Sequence, residues 1–272
     1  MKSSILRSYL FVATAMVLAA QDPAPPQQRI TLPFSDASRP KSLNVNLAFG
    51  SVTVTGYDGA DAIIEYASRG RKARAEDAPA GMHRLDQPAS PIEATQENNV
   101  IRVKGGIWER GDIEIKVPKQ TALDLKTMNG SIVVEGISGE IAIDAMNGRI
   151  SVQDASGPVI AHSMNGRIVA SLAGVSSTKA SSFSSMNGNI EVTLPADLKA
   201  RLKMKTGRGE IYTDFDVKVE SSTTTPDPVA DDRKKHGPFA LPLDRTMYGT
   251  INGGGPEMHF TTYNGRIVIR KK

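Results

Sequence analysis

The residues of this sequence that could do chemistry recur within a short motif, Met-Asn-Gly-x-Ile. Position x is arginine in three copies: Arg149 and Arg167 lie in consecutive copies 18 residues apart, and Arg266 lies in the last copy. If consecutive copies occupy adjacent strands, the guanidinium groups are one strand spacing apart, where like charges destabilise each other unless an anion lies between them. Arginine binds carboxylate and phosphate groups bidentately. Arg149 and Arg167 are therefore candidate binding residues for an anionic ligand; the alternative is two solvated side chains that point apart.

Methionine recurs in the same motif as Met128, Met146, Met164 and Met186. Because thioethers bind Cu(I), one interpretation is a soft-metal or oxidant-sensing site. A copper site usually includes His or Cys, but the sequence has no Cys and its four His show no ligand spacing. We therefore expect methionine to fill a corner of a narrow core, and the motif's asparagines to hydrogen-bond along a stack. We predict neither a metal site nor a cofactor.

The groups that an enzyme would need are not brought together in the sequence. The acidic residues Glu135, Glu140, Asp144 and Asp154 fall at different repeat positions, so they do not form the carboxylate pair of a glycosidase. The sequence contains no Gly-x-Ser-x-Gly, no His-Glu-x-x-His and no phosphate-binding glycine-rich loop. We predict that the protein has no catalytic residues and is not an enzyme.

The elements that position these residues are short strands repeating at a fixed period. Three copies align without gaps at a period of 18; a fourth comes four residues late, a degenerate fifth spans 206–211 and a last copy spans 263–267. A meander that turns every nine residues fits this period, and so does a solenoid in which each copy is one rung. Recurrence of whole motifs favours the solenoid, because identical residues then stack on successive rungs. We expect an all-β fold, a β-solenoid or β-helix-like stack with repeats of about 18–22 residues, in which Asn-Gly forms tight corners with φ > 0.

The chain divides into three parts by composition. Residues 1–20 are typical of a secretory signal peptide, with cleavage near Ala20; the alternative is an uncleaved anchor. Residues 21–41 are expected to be a Pro/Gln-rich linker. Residues 42–272 are expected to form one repetitive β domain, with core repeats at 119–213, a polar loop at 220–238 and the final rung at 251–272. Alternation within this domain also predicts a hairpin at Asn98-Asn99, and a long loop, with one short helical turn, at 68–91.

Charge and hydropathy limit the setting and the partners. The whole chain has a net charge of +4, but removal of Lys2 and Arg7 with the signal peptide leaves 31 − 29 = +2. A nearly neutral mature domain does not indicate a nucleic-acid partner. No later segment is apolar for long enough to cross a bilayer, so we expect an extracytoplasmic protein, periplasmic or secreted, without a transmembrane segment in the mature chain.

Three runs, 43–66, 113–152 and 251–272, resemble the bacterial DUF4097 family, also named the putative adhesin family. The resemblance covers about residues 42–272. It implies a β-solenoid-like fold in an extracytoplasmic or membrane-associated setting, and it implies no catalytic residues. The chain differs from many relatives in lacking a transmembrane helix, which leaves a membrane-tethered role unsupported.

Three functional hypotheses follow from these observations. The first is a non-enzymatic adhesin-like module that binds an envelope glycan or a protein through a repetitive surface. The second is a structural or envelope-stress accessory protein, without a ligand of its own, that is recognised through an exposed end of the stack. The third is a polysaccharide-active enzyme. The sequence leaves the ligand and the oligomeric state open.

Overall fold

Alternation of apolar and polar residues along short segments produces a fold made of strands. The computed structural model describes residues 27–36, 38–68, 92–105, 111–174, 179–220 and 246–272, and all regular structure in these ranges is β-strand. Leu43, Val45 and Leu47 are buried while the residues between them face outward, as expected for a half-buried strand. The fold class predicted from the sequence is confirmed.

The described strands are β1 Gln27–Pro33, β2 Ser42–Phe49, β3 Val52–Tyr57, β4 Asp61–Ser68, β5 Ile92–Glu97, β6 Val100–Gly105, β7 Gly111–Pro118, β8 Ala122–Asn129, β9 Ile132–Glu135, β10 Ile141–Asn147, β11 Ile150–Ala155, β12 Val159–Asn165, β13 Ile168–Leu172, β14 Ser181–Asn187, β15 Ile190–Leu194, β16 Ala200–Arg208, β17 Ile211–Thr213, β18 Lys218–Glu220, β19 Thr246–Ile251, β20 Glu257–Asn264 and β21 Ile267–Lys271.

The repeats stack as rungs, each made of one strand from each of two sheets. One sheet has the order β1-β4-β7-β3-β9-β11-β13-β15-β21-β17, and the other β18-β19-β16-β20-β14-β12-β10-β8-β2-β6-β5. Pairing between rungs is parallel and in register, so that Ile141 lies opposite both Leu123 and Val159. This is the solenoid and not the meander, because a meander pairs consecutive strands antiparallel.

The rungs do not stack in the order of the sequence. The first rung, β2 and β3, lies between β6/β7 and β8/β9, and the last rung, β20 and β21, lies between β14/β15 and β16/β17. The prediction that 251–272 is the final rung is therefore correct along the chain but wrong in space. Deleting 251–272 would remove an internal layer and would not expose an existing end. The repeat period alone cannot predict the spatial order of the rungs, because all rungs have the same backbone shape and nearly the same residues at their contacts.

Antiparallel strands cover both sheets at one end of the stack and one sheet at the other end, where the second sheet finishes with β17, parallel to β21. At one end β4 pairs with β7, β1 with β4, and β5 with β6; at the other end β19 pairs with β16, and β18 with β19. Phe215 packs under the second end, with the ammonium of Lys271 5.3 Å from its ring centroid. A change of strand direction ends the repeat, and such caps reduce the edge-to-edge association to which open stacks are prone.

The core between the sheets is a set of columns that run across the rungs. Phe183 and Phe260 occupy one column on neighbouring rungs, with their rings stacked 5.4 Å apart and inclined by 9°. Ala161 precedes them and Met204 follows them in the same column. A small residue beside two large ones keeps the volume of the narrow core filled without displacing the strands.

Part of the predicted N-terminal linker is a strand. The linker prediction for 21–41 is wrong from residue 27 onward, because β1 pairs with β4 over seven residues and Ile30, Leu32 and Phe34 pack against the core. These three residues alternate at period two, a strand signal that the neighbouring prolines and glutamines mask. The signal peptide with its cleavage site, the loop at 69–91 and residues 221–238 of the polar loop lie outside the described residues.

The hairpin predicted at Asn98-Asn99 is confirmed. The two residues connect β5 to β6 with φ of 50° and 61°, the left-handed values that a two-residue turn of this kind requires. Asn99 is also buried: its side-chain oxygen accepts a hydrogen bond from the backbone N–H of Asp36 at 2.8 Å, and its amide donates to the Asp36 carbonyl. The turn thus holds the segment before β2 in place.

Candidate functional site: the turn edge

The recurring motif forms one long edge of the solenoid, where each rung turns from one sheet into the other. We call this surface the turn edge and define it as residues 128–131, 146–149, 164–167, 186–189 and 263–266. It consists of a methionine column, an asparagine column and the column of variable x residues, side by side. Tyr263 replaces methionine in the last of these segments.

The asparagine column is a continuous ladder of side-chain amides. Each amide nitrogen donates to the side-chain oxygen of the preceding rung: Asn147 to Asn129 at 3.1 Å, Asn165 to Asn147 at 2.9 Å, Asn187 to Asn165 at 2.8 Å and Asn264 to Asn187 at 2.8 Å. This confirms the predicted hydrogen bonding along the stack. The ladder fixes the side chains at the centre of the turn edge.

The glycine after each asparagine is required by close packing and not by its φ. A Cβ at Gly148 would lie 1.8 Å from the carbonyl oxygen of Gly130, and one at Gly166 would lie 1.9 Å from that of Gly148. Positive φ occurs at Gly50, but not at the glycines of the repeated Asn-Gly pairs. The prediction of φ > 0 at these corners is wrong, since the chain turns with ordinary dihedral angles and glycine instead lets successive backbones approach.

Small hydroxyl residues occupy the inner side of the corner. Ser185 donates to the Gly166 carbonyl at 3.0 Å, and Thr262 donates to the Gly188 carbonyl at 3.0 Å. Thr127 occupies the same position, but its buried hydroxyl has no hydrogen-bond partner among the described residues. This column was not predicted from the sequence, although its residues stand directly before each methionine.

The prediction that methionine fills the core is wrong. Met128, Met146, Met164 and Met186 are 48%, 41%, 41% and 52% exposed. The small hydroxyl residues, with Ala145 in one rung, take the inward position, and strand alternation then turns the next residue outward. The methionine column therefore forms an apolar ladder on the surface.

The structure brings Arg149 and Arg167 together as predicted. Ile150 pairs with Ile168 in register, so the preceding arginines lie on neighbouring rungs, and both side chains are exposed. In water, two unit charges at the strand spacing of about 4.8 Å repel by about 0.9 kcal/mol. A repulsion of this size is tolerable without a ligand, and the attraction of both guanidinium groups to an anion bound between them would outweigh it.

Acidic neighbours neutralise this pair only weakly. Arg167 approaches Glu191 of the next rung at 3.9 Å, with the two side chains 46% and 32% exposed; an exposed pair at this distance contributes little. No ion pair involving Arg149 occurs among the described residues. Further along the column, Asn189 accepts a hydrogen bond from the backbone of Arg266 at 3.1 Å. Arg266 is thus separated from the arginine pair by a rung whose x residue, Asn189, is uncharged.

A second charged column lies on the adjacent sheet face. Lys126, Asp144 and His162 occupy the same position on successive rungs. The recorded ion pair of Lys126 is with Asp124 on its own strand, at 3.5 Å, and not with Asp144. His162 lies two residues before Met164 on the same outward face.

The described residues show no constellation that would support catalysis. No group of three or more His, Asp or Glu side chains in the described ranges could hold a metal ion. One shallow groove is lined by Arg201, Tyr248 and Glu257, and another by Tyr57 and Lys119; neither contains a pair of facing carboxylates.

Two groups in the described chain have a displaced pKa, and both are explained locally. Hydrogen bonds from the side chain and backbone of Ser38 lower the pKa of Asp36. A hydrogen bond to Glu210 raises the pKa of Tyr212. Tyr212 is exposed and Asp36 is half-buried, and neither is part of the arginine pair.

Comparisons with known proteins give only remote similarities. No family model and no curated protein matches the chain. A "putative cell adhesion protein" from Clostridium sporogenes is similar in structure, with 12% identity, a TM-score of 0.49 and coverage of 91% of this chain and 100% of its own. A "putative adhesin" from Bacteroides fragilis also has 12% identity, with a TM-score of 0.37 and coverage of 92% and 99%. At this level neither similarity bears on what the chain binds, and the resemblance to DUF4097 stays a prediction.

The part of the chain that the structure describes contains no helix able to span a membrane.

Proposed function

We propose that the protein is an extracytoplasmic, non-enzymatic β-solenoid that binds an envelope glycan carrying carboxylate or phosphate groups along its turn edge. The observation that carries the proposal is the position of Arg149 and Arg167, which are exposed on neighbouring rungs and whose one acidic contact is the weak approach of Arg167 to Glu191 on the rung beyond. Each of the two guanidinium groups can donate a pair of hydrogen bonds to one anionic group, a geometry that lysine cannot offer.

The asparagine ladder beside the arginines supports a glycan as the ligand. Each amide has two N–H donors, and the ladder uses one of them for the preceding rung. The second N–H of the exposed Asn147 and Asn165 side chains is available to accepting hydroxyl or ring oxygens. The rigid stack orders these donors before binding, which lowers the entropic cost of recognition.

The shape of the surface favours a polymer over a small molecule. Small ligands are usually enclosed in a concave, mostly apolar pocket, whereas the turn edge is a ridge with donors repeated at rung spacing. A linear polymer can contact several rungs at once, so that individually weak contacts add along its length. Extracytoplasmic placement comes from the signal peptide predicted at residues 1–20.

A glycan array and pull-downs on peptidoglycan and lipopolysaccharide test the proposal. We expect wild type to retain anionic glycans and not neutral ones. Arg149→Ala/Arg167→Ala should weaken this binding about tenfold or more, a loss of about 1.4 kcal/mol. The matched control is Arg102→Ala/Arg270→Ala, which removes the same charge from exposed positions outside the turn edge and should bind as wild type does.

Two outcomes contradict the proposal. One is wild type that retains no anionic glycan. The other is an equal loss of binding in both double variants, which would assign the effect to net charge and not to the turn edge.

A further inference from the structure

The methionine side chains of the turn edge are only about half-buried, so packing explains this ladder only in part. Burial of an apolar side chain contributes roughly 1.5–3 kcal/mol, and much of this is forgone where about half of the side chain stays in water, as at Met128 and Met186. Strand propensity does not explain the residue either, since β-branched and aromatic side chains fit an exposed strand position better. What methionine alone offers at this position is a flexible thioether on the surface.

The rungs bring these thioethers into a regular row. Asn147 pairs with Asn165, and Ser163 with Ser185, so Met146, Met164 and Met186 stand on three consecutive rungs. A metal–sulfur bond is about 2.3 Å long, so an ion held in line between two sulfurs separates them by about 4.6 Å. Neighbouring strands are about 4.8 Å apart. The spacing of the rungs is therefore compatible with coordination of one ion by two sulfurs from neighbouring rungs.

An imidazole lies on the same face beside this row. His162 is exposed, two residues before Met164 on β12, and outward side chains at this separation are about 7 Å apart at Cα. Its neighbours across the strands are Asp144 and Ser184, and no hydrogen bond or ion pair of His162 is recorded among the described residues. The fold therefore places a nitrogen donor beside the methionine column, which the spacing of histidines in the sequence does not indicate.

We propose that Met146, Met164, Met186 and His162 form a binding site for a soft monovalent metal ion, Cu(I) or its analogue Ag(I). Thioether and imidazole ligands favour Cu(I), whereas Mg²⁺ and Ca²⁺ require several oxygen ligands. Met128 extends the row by one rung. The site lies on the sheet side of the asparagine ladder and the arginine pair lies on the other side, so the two proposals stand independently.

Nuclear magnetic resonance of the full chain with ¹³C-labelled methionine methyl groups tests the site directly, using Ag(I) alone as the probe. The chain has ten methionines, which gives internal controls. We expect Ag(I) to shift the methyl signals of Met146, Met164 and Met186. Exposed Met247 and buried Met204 should be unaffected. Zn²⁺ at the same concentration should move none of these methionine signals.

Variants assign the ligands. Met146→Leu/Met164→Leu/Met186→Leu keeps the apolar surface and removes the sulfur, and it should abolish the Ag(I) heat in calorimetry; Met247→Leu should leave that heat unchanged. His162→Gln should weaken Ag(I) binding by about tenfold or more. If the triple variant fails to fold, the Ag(I)-induced methyl shifts of wild type and the Ag(I) binding of the single variant Met164→Leu test the site, because neither measurement requires the triple variant.

The proposal is overturned if Ag(I) shifts Met247 as strongly as Met164, if no methyl signal moves, or if the triple leucine variant binds Ag(I) as wild type does. Arg149→Ala/Arg167→Ala should leave Ag(I) binding unchanged. Failure of the metal site and failure of the glycan site are thereby distinguished.

Discussion

The asparagine ladder predicts a graded loss of stability that depends on position in the stack. Asn165 donates to Asn147 and accepts from Asn187, so Asn165→Ala breaks two side-chain hydrogen bonds; Asn264→Ala breaks only one, to Asn187. Because these side chains are exposed, each bond should contribute about 0.5 kcal/mol, the low end of the usual range. The expected losses are about 1 kcal/mol at Asn165 and about 0.5 kcal/mol at Asn264.

Urea unfolding of the two variants and wild type measures this difference. The double variant Asn147→Ala/Asn165→Ala should lose less than the sum of its single changes, since the bond between the two residues is counted in both singles. Equal losses at Asn165 and Asn264, or strict additivity in the double variant, would refute the idea that the ladder stabilises the stack. Alanine at both positions gives the same change in strand propensity, so the comparison isolates the hydrogen bonds.

Two further predictions concern the inner side of the turn edge. Thr127→Val should raise stability by about 1 kcal/mol, because it removes a buried hydroxyl without a partner, whereas Thr262→Val should lower stability by about the same amount through loss of its bond to the Gly188 carbonyl; urea midpoints that move in the same direction for both variants would contradict this account. Gly148→Ala should be among the most damaging single changes, losing more than about 3 kcal/mol or preventing folding, because its Cβ would meet the Gly130 carbonyl oxygen at 1.8 Å. Soluble expression and thermal unfolding measure the stability of Gly148→Ala. A variant as stable as wild type would contradict the prediction and would show that neighbouring rungs can move apart at this corner.

Much of the architecture was predictable because it follows from local repetition. The period of 18 aligns Leu123, Ile141 and Val159, and these residues are register partners in the structure. The candidate pair Arg149 and Arg167 follows from the same alignment. A period specifies which residues share a column, and parallel stacking makes a column a line of neighbours.

The outward direction of methionine was also predictable in principle. Alternation from Leu123 and Leu125 places residue 127 inside and residue 128 outside. Met, Asn, Gly and Ile recur together, but only Ile points into the core, so recurrence as a unit does not indicate that methionine is buried. The residue before methionine carried the missing signal, since its small size suits the narrow inner corner.

The spatial order of the rungs and the neighbours of His162 could not be predicted from the repeat period. Placement of β20/β21 between β14/β15 and β16/β17 depends on contacts between distant segments that share one repeat pattern. The position of His162 beside the methionine row follows from its register partners. It also requires knowing which face of β12 points outward.

The central claim is that the protein recognises an anionic glycan through the turn edge. It is tested most directly by the affinity of wild type, Arg149→Lys/Arg167→Lys and Arg149→Ala/Arg167→Ala for one anionic glycan taken from the array. Bidentate recognition predicts that lysine, which keeps the charge but not the donor pair, binds more weakly than arginine and more tightly than alanine. Equal affinity of all three proteins would contradict the claim.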